Sequence, residues 1–194
     1  MAHLRVCFFI GGNMKRVLSI DQSTSATGSA FFVNGKLKDY CLIKPKMSKR
    51  ADELRVEEEP HLISIIMPEA DYGTTLLRIT AITDQLEKLI EKFKPDEIWF
   101  EEIFENANPK GFRSLARLQG FIAHIAHKHN VKYTIVEETK WITAWGKYGR
   151  DVKRAERKQD IKRKVNDYYN LDIKVDDISD AIAIGRYAVE SQID

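Results

Sequence analysis

Arg16-Val17-Leu18-Ser19-Ile20-Asp21-Gln22-Ser23-Thr24-Ser25-Ala26-Thr27-Gly28 is an apolar run that stops on a carboxylate and passes into small polar residues. Arg16–Ile20 predicts a buried strand, and Asp21–Thr27 the turn after it. Gly28–Val33 reads as a second strand. Asn34-Gly35 then signals a two-residue hairpin, because both positions of such a turn need positive φ. Lys38–Ile43 returns as a third strand, so the chain is expected to open as an antiparallel meander.

Beyond the meander the period changes. Thr75–Phe93 places Leu76, Leu77, Ile79, Ile82, Leu86, Leu89, Ile90 and Phe93 at helical spacing, and Lys94-Pro95-Asp96 ends the run. Glu97–Phe104 predicts a strand, Phe112–Asn130 a helix and Val131–Val136 a fifth strand. Lys153–Tyr169 predicts a basic helix and Asp177–Ser191 a last one. Pro45–Thr74 carries the acidic run Glu57-Glu58-Glu59 and the apolar run Leu62–Met67, a strand candidate; it reads as an insertion or long loop. The fold class is therefore α/β: a five-stranded mixed sheet, three antiparallel strands then parallel ones, flanked by helices.

The chain has 194 residues, 43% hydrophobic and 31% charged, which suits one globular domain over 16–194. Residues 1–15 read as an N-terminal extension. Their apolar run Val6–Ile10, before Gly11-Gly12, is too short for a good signal peptide, and Met14 suits an alternative start. No apolar run approaches the roughly 18 residues of a membrane helix. Two cysteines, Cys7 and Cys41, exclude a disulfide framework and fit a cytoplasmic setting.

Four carboxylates stand where apolar segments end or begin: Asp21, Glu101 inside Ile98–Phe104, and Asp177 and Asp180 at the start of the last helix. Singly, each has a plain structural role as a turn residue, an edge-strand charge (Glu101 or Glu102) or a helix cap. Together they are costly in apolar surroundings unless a cation compensates them. Asp177 and Asp180, three apart, project from one helix face; Asp176 competes as a partner four residues before Asp180. Carboxylates suit Mg²⁺ or Mn²⁺, and two such ions about 3.5–4 Å apart serve phosphodiester hydrolysis.

A basic stretch follows. Lys140, Lys147, Arg150, Lys153, Arg154, Arg157, Lys158, Lys162, Arg163 and Lys164 face only Asp151, Glu156 and Asp160 in sequence, an excess hidden by the net charge of +2. It reads as a phosphate-binding patch, with Trp141, Trp145 and Tyr148 as candidates for stacking on unpaired bases. The bland alternative is a solvated helix face with core tryptophans. His124, His127 and His129 have no cysteine or acidic partner in register and read as a surface helix end.

These motifs resemble those of the RuvC-like Holliday-junction resolvases, a ribonuclease-H-like family, over roughly Arg16 to Ser191. Val17–Gly28 is similar to the family's opening strand with its first aspartate at Asp21. Phe100-Glu101-Glu102-Ile103-Phe104 is similar to its central strand, which assigns the metal ligand to Glu101 and turns Glu102 to the other face. Asp177-Ile178-Ser179-Asp180-Ala181-Ile182-Ala183 resembles its final helix, and Ser114–Gly120 the helix at its dimer interface. The resemblance implies metal ligation by Asp21, Glu101, Asp177 and Asp180. It places basic catalytic side chains at Lys140 and at Arg157 or Lys158, and puts Phe104 near the junction centre. DNA contacts are expected from Phe104, Lys140, Lys147, Arg150, Lys153, Arg154, Arg157, Lys158 and Lys162. The function implied is a homodimeric, Mg²⁺-dependent nuclease that cuts branched DNA, and a phage member fits. Ile20–Thr24 also looks like the first phosphate loop of sugar kinases and actin-like ATPases. Those need two such domains, for which 194 residues leave no room. A third reading is a non-catalytic binder of structured DNA.

Overall fold

A computed structural model describes residues 15–50, 52–105, 108–149 and 151–191. Most of the expected N-terminal extension, and Arg150, lie outside them. The strands are β1 (Arg16–Asp21), β2 (Thr27–Val33), β3 (Lys36–Ser48), β4 (Arg55–Glu59), β5 (Leu62–Pro68), β6 (Glu97–Glu101) and β7 (Lys132–Val136). The helices are α1 (Glu69–Gly73), α2 (Thr75–Phe93), α3 (Pro109–Lys128), α4 (Glu138–Trp145), α5 (Arg154–Tyr169) and α6 (Asp176–Glu190). They form one mixed sheet in the order β4-β5-β3-β2-β1-β6-β7.

The meander is as the sequence predicts. Asn34 and Gly35 take φ of 50° and 77°, and the turn brings Val33 opposite Lys36. The sheet holds seven strands rather than the five expected, and the difference lies in residues 45–74. There β3 runs on to Ser48, β5 joins it in parallel and β4 closes the edge. Pro45 lies inside β3. It sits beyond the last pair with β2, Thr27↔Ile43, where that side of β3 has no ladder to lose. Helix α3 starts at Pro109, three residues before the Phe112 expected, because Asn108 caps it by accepting from the Gly111 N–H at 3.1 Å.

Period-2 alternation sorts the central strands onto two cores. Leu18 and Ile20 of β1, with Ile98 and Phe100 of β6, pack against α2 and α3. Val17 and Trp99 face the other way, into the core built with α4, α5 and α6. The same alternation turns Asp21 and Glu101, each two residues on from an α6-facing position, toward that second face.

Helix α6 lies directly on the sheet. A Cβ on Gly28 would sit 1.9 Å from the Asp177 carbonyl oxygen, and one on Gly185 2.2 Å from Phe32 and 2.4 Å from Ser19 Oγ. Ser19 Oγ donates to the Ala181 carbonyl at 2.7 Å, fixing the helix along the sheet. Gly28 also pairs with Asp21 across β1 and β2. One small residue thus sets how closely the first turn of α6 approaches the end of β1.

Gly28→Ala should therefore destabilise the protein by about 1–3 kcal/mol, through overpacking against backbone that has no flexible end to yield. Gly120→Ala, on a helix with open space at its Cβ, should be neutral or stabilising by about 0.5–1 kcal/mol. Urea denaturation of both variants checks this; equal effects would remove the close approach at Gly28 as a constraint.

Candidate active site

The parallel register Val17↔Glu97 through Ile20↔Phe100 makes β1 and β6 end side by side, with Asp21 and Glu101 next in line. Their carboxyl ends form one edge of the sheet, where open α/β sheets commonly bind ligands. Gln22 locks the pair. Its Nε2 donates to the Glu101 carbonyl at 2.5 Å, and the Glu101 N–H donates to its Oε1 at 3.2 Å. Gln119 of α3 donates to the same carbonyl at 3.2 Å. The Glu101 backbone is thus clamped from two elements, and its side chain receives a hydrogen bond from Trp141 Nε1 at 3.3 Å.

The four carboxylates predicted from the sequence act on one another. Burial, then the charges of Asp180 and Glu101, holds the Asp21 carboxyl well above its usual range. Burial, then Glu138 and Asp180, pushes Glu101 up to about 7. Burial raises Asp180, which is 2% exposed, and Asp177, in both cases against the pull of Lys158. Lys158 Nζ lies 2.5 Å from Asp180 Oδ2. Burial works against the Lys158 charge, yet Asp180 and Asp21 hold its ammonium above the usual value. Asp176, the competing residue, turns away to Lys162 at 2.7 Å.

This donor set fits a divalent cation. Asp21, Asp177 and Asp180 share the influence of one lysine, and the buried Asp180 Oδ1 has no hydrogen-bond partner among the described residues, although no three of the four acids bring ligand oxygens within 4.8 Å of one another. A hard cation satisfies such oxygens and favours their ionised form.

The basic residues divide. Of the alternatives left open, Lys158 is the one bonded to an acid; Arg157 is half-buried, with Nε unpartnered. Lys140 is exposed and pairs with Glu137 at 3.6 Å, and it forms no bond to the four acids among the described residues. Arg154 pairs with Glu138 and Lys162 with Asp176, so acids distant in sequence neutralise part of the basic stretch. Lys147 and Lys153 are exposed, as is Phe104, which lies just beyond β6.

Two expectations are corrected. Trp141 and Trp145 are core residues, 2% and 7% exposed, and do not offer faces for stacking. Trp145 Nε1 donates to the Ala183 carbonyl, and Tyr148 bonds Asp160. His129 does have acidic partners. Glu87 and Glu91 of α2 bring carboxylate oxygens within 4.8 Å of its ring nitrogen. That cluster lies by the other end of the strands, beside a depression that also includes Arg16 and Asp96, and Lys128 already pairs with Glu87 at 2.9 Å.

Gln22, Gln119 and Glu138 escaped sequence reasoning, as did the bond from Trp141 to Glu101. Gln22 follows Asp21 directly and Glu138 precedes Trp141 by three residues, but their roles arise only once β6 lies beside them.

Raised carboxyl pKa values fix the sign of the pH dependence. Between 4.5 and about 7 the folded, cation-free protein keeps a proton on Glu101 that the unfolded chain has released, so stability falls as pH rises through that window. The loss should be on the order of 2 kcal/mol, allowing for solvent access. Thermal melts in a chelator should give a lower Tm at pH 8 than at pH 5.5, and Asp21→Asn should narrow the gap. A Tm that rises with pH would mean that the acids are not crowded.

A family model described as Lactococcus phage M3 protein matches residues 14–191. The crossover junction endodeoxyribonuclease RuvC of Fusobacterium nucleatum subsp. nucleatum is 27% identical over 174 residues, 87% of this chain and 77% of that one. Its counterpart from Ruminiclostridium cellulolyticum is 32% identical over 112 residues, 55% of this chain and 63% of that one. The structure of T. thermophilus RuvC in complex with Holliday junction substrate superposes with a TM-score of 0.65 at 15% identity, covering 92% of this chain and 96% of that one. That last likeness bears on the fold alone. The chain belongs to the Lactococcus phage M3 protein family, and it is RuvC-like in sequence and in fold.

Proposed function

We propose that this protein is a divalent-metal-dependent endonuclease that resolves Holliday junctions and related branched DNA. What supports the reading is the mutual electrostatic influence of Asp21, Glu101, Asp177 and Asp180, with Asp21 and Glu101 at the ends of paired β1 and β6, in a chain similar to RuvC over 174 residues. A binder of DNA gains nothing from buried carboxylates facing phosphates, whereas a phosphodiesterase needs them. A kinase-like phosphotransferase is not favoured by the similarity to junction nucleases.

Asp21, Glu101 and Asp180 would hold Mg²⁺ or Mn²⁺, two ions per site, with Asp177 as a further ligand. Bound there, such ions activate a water and stabilise the leaving oxygen. Gln22, Gln119 and Trp141 keep Glu101 aimed at the site. Lys158 balances Asp180 and would steady the scissile phosphate; Lys140 would take part only by leaving Glu137. Phe104, Lys140, Lys147, Arg150, Lys153, Arg154, Arg157 and Lys162 would contact DNA around it. A homodimer supplies two sites for the two strands of a symmetric junction. The products would carry 5′-phosphate and 3′-hydroxyl ends. The protein would act in the cytoplasm of a bacterial cell; no helix among the described residues is long and apolar enough to cross a membrane.

A gel assay on synthetic four-way junctions, flaps and plain duplex with Mg²⁺ tests this. Wild type should cut branched DNA in preference to duplex. Asp21→Asn and Glu101→Gln should each lose at least about a hundredfold in cutting while still binding junctions. Cutting by Asp21→Asn at the wild-type rate would refute the assignment. Lys147→Gln and Lys153→Gln should each lower the salt dependence of junction binding by about one phosphate contact, measured by titration at several salt concentrations. An unchanged slope in both would take them out of the interface.

A further inference from the structure

Part of the sheet projects past the acidic edge. Asp21, Gly28 and Leu42 stand in one cross-strand row. Strand β2 reaches one residue beyond that row, to Thr27 opposite Ile43. Strand β3 runs six residues beyond it, to Ser48, and β5 keeps pace with it to Pro68. At the usual rise of a strand the projection is about 20 Å long.

Alternation decides which side chains it offers to the site. Leu42 packs into the core built with α6, and Ile43 into the opposite one. Lys44 and Lys46 therefore come out on the α6 face, about 7 and 13 Å past the level of Asp21. Helix α6 starts at Gly28 and runs back toward Phe32, away from them. Lys44 is exposed and Lys46 half-buried, and Lys49 and Arg50 follow, both exposed, at the tip.

These charges are free where those of α5 are not. Arg154, Lys158, Lys162, Arg163 and Lys164 each pair with a carboxylate. Lys44, Lys46, Lys49 and Arg50 form no ion pair among the described residues. Composition conceals the difference, because five cations and five acids over residues 44–59 cancel in sum. The sheet separates them. Glu57 and Glu59 stand on β4, the outer strand, opposite Ser64 and Leu62, whereas Lys44 and Lys46 stand on β3, nearer the site. A line of unpaired cations on a rigid strand, leading away from the acidic edge, suits a polyanion with regularly spaced charges.

We propose that this projection is a platform for one duplex arm of the branched substrate, with Lys44 and Lys46 on its phosphates and Lys49 and Arg50 at the far end. It is long enough for about six base pairs. The acids of β4 repel phosphate and bound the platform on its outer side. Contacts of this kind position the arm and carry no sequence preference. The inference rests on the nuclease reading above and adds to it where the substrate lies.

Lysines near an open strand edge also serve to block edge-to-edge pairing, a role that needs no DNA. The double variant Lys44→Gln/Lys46→Gln separates the two. Its control is Lys36→Gln/Lys38→Gln, which removes the same charge from exposed positions at the other end of β3. Both are titrated by fluorescence anisotropy as full chains against a labelled four-way junction, in a chelator so that nothing is cut, at several salt concentrations. Lys44→Gln/Lys46→Gln should weaken junction binding about tenfold at about 0.1 M salt and lower the log–log salt slope by about two. The control should keep the wild-type slope, and Lys44→Arg/Lys46→Arg should restore affinity and slope together. A wild-type slope in Lys44→Gln/Lys46→Gln, an equal fall in both double variants, or no recovery with arginine overturns the proposal. If wild type binds and cuts junctions in any of those cases, only this inference fails. If wild type binds no junction, the nuclease reading fails with it.

Discussion

Helix α6 rests on the sheet with no side chain between it and β2 at Gly28, and the placement of charge in this protein follows from that contact. The first turn of α6 carries Asp177, Asp180 follows at the start of the next turn, and the strand paired with β2 ends on Asp21. Parallel pairing of β1 with β6 adds Glu101 at the same edge. None of these acids is brought in by a loop. Each sits at the end or start of a regular element whose other residues are locked into a core, so the cluster is as rigid as the sheet. Rigidity is what a hydrolytic centre needs, because carboxylates free to separate would relax their repulsion instead of holding ions.

Without a cation the arrangement is strained in electrostatic terms. Burial and mutual repulsion push the acids toward their protonated forms, and Lys158 offsets part of this at Asp21, Asp177 and Asp180. The protein accepts that cost at one edge and compensates with two large apolar cores on either side of the sheet. Surface ion pairs around the rim, such as Lys162 with Asp176, hold α5 against the start of α6. The basic helix therefore has two functions in one sequence: part of it neutralises the acidic edge, and the exposed remainder faces outward.

The fold was legible wherever a period or a turn signal was strong. The Asn34-Gly35 hairpin, the helix over Thr75–Phe93 and the acid at the end of Arg16–Asp21 all follow from local chemistry. The run Leu62–Met67 was a strand candidate and is β5, but the extension of β3 and the added β4 were not legible, because Pro45 argues against a strand unless one knows that β2 has already ended beside it. Trp141 misled for a related reason. Aromatic and basic residues interleaved in sequence suggest a nucleic-acid surface, but α4 turns its tryptophans inward and leaves the charges outside. Glu101 was legible as a site residue; Gln22 and Gln119, which hold its backbone, were not, since their contact spans 79 and 18 residues. Likewise His129 gained acidic partners from a helix some forty residues earlier, which no local pattern discloses.

Two clusters of candidate ligands stand by opposite ends of the strands, and the account assigns the functional one to the Asp21 end. Anomalous diffraction from crystals soaked in Mn²⁺ decides between them directly. The account predicts density bounded by Asp21, Glu101 and Asp180. Density confined to Glu87, Glu91 and His129, with the Asp21 edge empty at saturating Mn²⁺, would contradict it.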